Sequence, residues 1–171
     1  DSQGFDTNIG GNHRGYPPSY FSPYKNPTLE DGTEGENLTD RLTKEAMEFL
    51  DKNKDEHFML HLCFYTVHLP LQAKKELIEK YEQKAKSLSE PDRKKYVSTG
   101  HDLRDHPRGT QKVRQYQDHP VYAAMVETLD NNVGLLLDHI EKLNLDDNTV
   151  IFFFSDNGGL RGVTTNKPLR G

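Results

Sequence analysis

Helical and strand-like patterns alternate along the chain. Leu38, Leu42, Ala46, Phe49 and Leu50 recur at helical spacing, with Asn37 or Thr39 available as a cap and Asp40 in the first turn, and they predict a helix from about Thr39 to Asp51. A polar turn from Asp51 to Glu56 leads into the apolar run Phe58 to Tyr65, which suits a strand covered on both faces and stops at Thr66-Val67-His68-Leu69-Pro70. Gln72 to Leu88 is strongly charged, with Leu77, Ile78 and Tyr81 as a narrow apolar stripe, the pattern of a helix lying on the surface. Between Tyr122 and Leu143, Met125, Leu129, Val133, Leu136, Leu137 and Ile140 form one stripe along about 33 Å of helix, with Pro120 near its start. Thr149 to Phe154 is a second fully buried strand by its β-branched and aromatic content, and it ends at Ser155-Asp156-Asn157-Gly158-Gly159. Helix, strand, helix, strand in this order predicts an α/β domain with a mostly parallel sheet flanked by helices, because parallel neighbours need long crossovers.

Two stretches escape both periods. The first 36 residues are rich in Gly, Pro, Asn and Ser and form a long irregular loop, which Tyr16, Tyr20, Phe21 and Tyr24 mark as ordered and ligand-facing rather than disordered. Residues 89–120 carry prolines, glycines and charges without periodicity and form a variable excursion.

Composition narrows the function classes. The 171 residues, 33% of them hydrophobic, make one domain or part of one. A net charge of −5 with interspersed signs argues against a nucleic-acid partner, which calls for a concentrated basic face. No stretch approaches the roughly 20 apolar residues of a membrane span, and no targeting segment is recognisable. The single cysteine, Cys63, sits inside an apolar run and is expected to be a small buried hydrophobe rather than a nucleophile.

Chemistry concentrates beyond the carboxyl ends of the two strands, the edge where open α/β sheets bind ligands, and His68 and Asp156 both fall there. Asp156 and Asn157 offer a carboxylate and an amide oxygen, hard ligands for calcium or magnesium, and Gly158-Gly159 permits a tight turn around an ion. The same five residues also have the composition of an ordinary turn, and a lone histidine after a strand is commonly a plain loop residue. His101, His106 and His119 lie among Asp, Arg and Pro and are expected to be solvent-exposed without function.

Val150 to Gly159, preceded by Tyr122 to Gly134, resembles the type I sulfatase family of the alkaline phosphatase superfamily. Gly4-Phe5-Asp6 resembles its middle region, Tyr65 to Pro70 its histidine segment, and Thr165 to Gly171 the stretch before its active-site lysine. The resemblance touches nearly the whole chain and is weak from Gln72 to Pro120. It implies an internal part of a single arylsulfatase-like catalytic domain.

By that resemblance, Asp156 and Asn157 ligate Ca2+, with Mg2+ as the alternative, and His68 hydrogen-bonds the sulfate or its bridging oxygen. His13 and Arg14, a hydrogen-bonding ring beside a cation on the long loop, are candidates for contacting a sulfated sugar. The formylglycine nucleophile is expected outside these residues: no Cys-x-Pro-x-Arg motif occurs, and Cys63 is followed by Phe64 and Tyr65. The early Asp-Asp metal pair and the family's lysines are likewise not among them, so the 171 residues alone are expected to be inactive.

The implied reaction is hydrolysis of a sulfate ester of a glycan or aryl substrate in a periplasmic, secreted or lysosomal setting. A phosphate or phosphonate monoester hydrolase of the same superfamily, or a non-catalytic binder of anionic glycans, are the competing readings. Oligomeric state and the sulfated position are not legible.

Overall fold

The computed structural model describes residues 4–88, 94–99 and 111–169. Among these residues three α-helices carry the architecture. Helix α1, Leu38–Asn53, starts where Asn37 accepts from the Thr39 amide, a side-chain cap that satisfies one of the free amides of the first turn. Helix α2 spans Lys75–Leu88 and buries no residue fully, as its charged composition requires. Helix α3, Pro120–Lys142, begins with proline in its first turn and is capped by His119, whose ring accepts from the Tyr122 amide. Both α1 and α2 pack on α3. Where the three converge, Asn132 of α3 donates to Asp40 of α1 at 2.8 Å, and the other Asp40 oxygen holds Lys74, just before α2, at 2.6 Å.

The core draws on the loop as much as on the helices. Tyr20, Tyr24 and Leu29 are buried with Leu38 and Leu42 of α1, Ala73, and Ala124 and Met125 of α3. Burying a tyrosine demands a partner for its hydroxyl. Tyr20 donates to the carbonyls of Tyr65 and His68, and Tyr24 donates to Glu36. Burial pushes both phenols above their ordinary range. Tyr20 thus ties the loop to residues 65–68.

Four details differ from expectation. The apolar runs 58–65 and 150–154 form no ladder among the described residues, because a strand exists only where a neighbour accepts and donates its backbone bonds. The first run still shows strand-like alternation, with Leu60, Leu62 and Phe64 half-buried while Met59, His61 and Cys63 face outward. That alternation leaves Cys63 exposed instead of in the core, with its sulfur 3.3 Å from His61 Nε2. The second run stands clear, Phe152, Phe153 and Phe154 being 71 to 81% exposed, a density of bare aromatic surface that calls for a covering layer.

In the excursion, Tyr96–Thr99 (β1) pairs antiparallel with Gln111–Arg114 (β2), placing Val97 opposite Val113. This hairpin is the sheet among the described residues, and it lies in the excursion, where no periodic element was expected. Arg114 anchors it: the guanidinium is buried, donates to Asp118 Oδ1 at 2.6 Å and to the Tyr96 hydroxyl at 2.8 Å, and lies over the Tyr96 ring. His101 and His106 fall outside the described residues. On α3, Leu137 is exposed, since the face packed into the molecule runs through Met125, Thr128 and Asn132 rather than along the full apolar stripe.

Candidate functional site

His68 projects from a loop whose backbone is fixed on both sides. Its amide donates to the Tyr65 carbonyl at 2.8 Å and its carbonyl accepts from Tyr20 Oη at 3.1 Å, while the peptide bonds Thr66–Val67 and Leu69–Pro70 are cis. The imidazole itself is exposed, with Nδ1 3.2 Å from the Leu69 carbonyl. A carbonyl only accepts, so Nδ1 carries the proton and Nε2 is left for an incoming group. The Tyr16 ring stacks on the imidazole, centroids 5.9 Å apart and planes 14° from parallel.

Tyr16 arrives there because the loop before it is tied down by Asn12. The Asn12 amide donates to Tyr65 Oη at 3.1 Å, to Asn26 Oδ1 at 3.3 Å and to the Gly10 carbonyl at 3.3 Å, and its oxygen accepts from the Arg14 amide at 2.9 Å. Gly10 takes a positive φ of 79°, and a β-carbon there would approach Leu42 Cδ2 to 3.0 Å, so the loop crosses α1 where only glycine fits easily. His13 and Arg14 follow as exposed side chains between the Asn12 anchor and the Tyr16 stack. Through the Tyr16 stack this loop reaches the His68 ring.

Asp156 and Asn157 lie on an exposed turn. Ser155 Oγ donates to the Asn157 carbonyl at 2.7 Å, and Asn157 Nδ2 donates to the Gly158 carbonyl at 3.0 Å, which leaves the Asn157 amide oxygen and the Asp156 carboxylate without protein partners among the described residues. The turn is closed by Asn166, which accepts from the Gly159 amide and donates to the Gly159 carbonyl, both at 2.9 Å. A β-carbon on Gly159 would lie 2.5 Å from Thr164 Cγ2 and 2.9 Å from Tyr122 Oη, so this glycine is required by close approach.

Two unengaged oxygen-bearing groups on one clamped turn fit an alkaline-earth ion in chemical type, and they fall short of the six to eight ligands calcium takes. Among the described residues no three His, Cys, Asp or Glu side chains gather as a metal group, and no hydrogen bond joins the Asp156 turn to His68. Sequence reasoning did not single out Asn12, Tyr16 or Asn166 for these roles. Tyr16 was visible only as one of several loop aromatics, and Asn166 only as part of a resembling segment.

Comparison with known proteins covers the whole chain. The sulfatase family model matches residues 1–171. A sulfatase of Formosa agariphila is 35% identical over 155 residues, which is 85% of this chain and 23% of that protein. Human steryl-sulfatase is 28% identical over 123 residues, 72% of this chain and 15% of that protein. Among solved structures, Ps i-CgsB in complex with k-i-k-neocarrahexaose superposes with a TM-score of 0.57 at 30% identity, over 93% of this chain and 33% of that one. The chain spans about a quarter or less of the length of these curated relatives. The partial α/β arrangement described above is the sulfatase fold in part.

Proposed function

The chain belongs to the sulfatase family, and on that premise we propose that the complete protein hydrolyses a sulfate ester of a carbohydrate, with His68 as general acid. The orientation of His68 carries this reading. With Nδ1–H held by the Leu69 carbonyl, the ring donates from Nε2 only as the imidazolium, and that proton goes to the bridging oxygen as its bond to sulfur breaks. Proton donation of this kind is worth roughly 100- to 10,000-fold in rate. His13 and Arg14 contact sulfate groups of the substrate, the guanidinium by paired donors to planar or tetrahedral oxyanions.

Asp156 and Asn157 would hold a calcium ion through the oxygens that the protein leaves free. Bound there, such an ion supplies Lewis-acid stabilisation of the negative charge that develops on the sulfuryl oxygens. Asn166 ties down the Gly159 end of the turn that carries them. A carbohydrate substrate is favoured over an aryl sulfate by likeness to the structure that holds k-i-k-neocarrahexaose.

The test is sulfate release by the complete protein from k-i-k-neocarrahexaose, beside 4-nitrophenyl sulfate and 4-nitrophenyl phosphate. Sulfate release from the oligosaccharide, lost in His68→Ala, supports the reading. Turnover of the phosphate ester alone, or no turnover of any ester, contradicts it. His13→Ala and Arg14→Ala are expected to raise KM, and unchanged kinetics in both would remove them from the site.

A further inference from the structure

We propose that Tyr16 is a positioning residue for His68, fixing the plane of its imidazole; this rests on the reading of His68 as the general acid. The backbone of His68 is pinned through Tyr65 and Tyr20, so the freedom that remains is in the side chain. One bond from Nδ1 to the Leu69 carbonyl at 3.2 Å restrains the direction of the ring but not its tilt about that axis. The stack with Tyr16, 14° from parallel, supplies the missing restraint.

Tyr16 is itself placed with care for so exposed a residue. It is 55% exposed, yet the chain before it is held by the four Asn12 bonds, and Pro17 directly after it is buried. Beyond Pro17 the Tyr20 amide donates to Gln72 at 2.8 Å. An aromatic ring mounted between two fixed points and stacked, offset, on the imidazole is a preorganising wall. The hydroxyl of Tyr16 makes no hydrogen bond among the described residues, so the ring and not the oxygen is the active part.

The complete protein, assayed for sulfate release, distinguishes the alternatives through Tyr16→Ala, Tyr16→Phe, His68→Ala and the double variant Tyr16→Ala/His68→Ala. Tyr16→Ala is expected to lower kcat about tenfold, the scale of a misplaced catalytic group, with KM changed less than about twofold. Tyr16→Phe should retain the parent rate, because it keeps the stack. In the His68→Ala background the Tyr16→Ala change should have no further effect, since a residue that acts through His68 has nothing left to position. The proposal is overturned if Tyr16→Ala leaves kcat intact while His68→Ala is crippled, if Tyr16→Phe is as impaired as Tyr16→Ala, or if Tyr16→Ala raises KM alone. If His68→Ala itself keeps the parent rate, the general-acid reading falls first and this one with it.

Discussion

Replacing Asn166 with alanine severs both bonds that close the Asp156 turn. Asn166 accepts from the Gly159 amide and donates to the Gly159 carbonyl at 2.9 Å each, so a single side chain satisfies one backbone donor and one acceptor. Each such bond contributes about 0.5 to 1.5 kcal/mol net, which sums to about 1 to 3 kcal/mol for the pair. The site is half-buried, so water replaces part of the loss and the lower half of that range applies, about 1 to 2 kcal/mol. On the proposed calcium reading, the larger effect falls on ion binding. Groups that orient a ligand-bearing segment without touching the ion typically alter affinity by about 10- to 100-fold. Calcium titration of the complete protein by calorimetry, beside denaturant unfolding, reads both quantities. Asn166→Asp retains the acceptor for the Gly159 amide and loses the donor, so it should fall between parent and alanine. A calcium affinity within about twofold of the parent, with an unshifted unfolding midpoint, would refute the idea that this side chain shapes the turn.

Arg114→Ala should be among the costlier surface-hairpin substitutions, destabilising by about 3 kcal/mol in denaturant unfolding, because it leaves the largely buried Asp118 carboxylate without its cation. Arg114→Lys should not restore the loss, since a point charge cannot serve Asp118 and Tyr96 together; full rescue would contradict this account. Burial, and then the Arg114 charge, hold the His119 imidazole below its ordinary value of about 6.5. The unfolded chain therefore takes up a proton before the folded one does, and the stability contributed by the neutral ring is present above about pH 6.5 and lost as pH falls through the folded value. Protonation also removes the Nδ1 acceptor that caps α3. His119→Asn keeps a capping oxygen and should flatten this part of the acid loss when unfolding midpoints are compared between pH 8 and pH 5, and identical pH dependence in parent and variant would contradict the assignment.

How far the sequence discloses the molecule depends on the range of the forces involved. The helices were legible to within a few residues because their signals are local: Asn37 as cap, the i, i+4 spacing of Leu38, Leu42 and Ala46, and Pro120 at the start of α3. The apolar runs 58–65 and 150–154 were legible as strand composition, but pairing is a contact between distant segments, and neither run has a ladder partner among the described residues. Cys63 was placed in the core because its neighbours are apolar; only the side it takes in the alternation with Leu62 and Phe64 decides its exposure. The hairpin at β1 and β2 is short and polar, so no hydrophobic alternation announced it. For the candidate site, His68, Asp156, Asn157, His13 and Arg14 were singled out by resemblance and by residue type. The residues around them, Asn12, Tyr16 and Asn166, act through contacts that reach across 53, 52 and 7 positions of chain, which no local pattern encodes.

We propose that this chain supplies metal-holding and proton-donating groups to a sulfate ester hydrolase. Calcium content and sulfate release of the complete protein, parent against Asp156→Ala, test it together. The account predicts that the parent retains tightly bound calcium and releases sulfate from the oligosaccharide, and that Asp156→Ala loses both. An Asp156→Ala protein that keeps its calcium and its rate would contradict it.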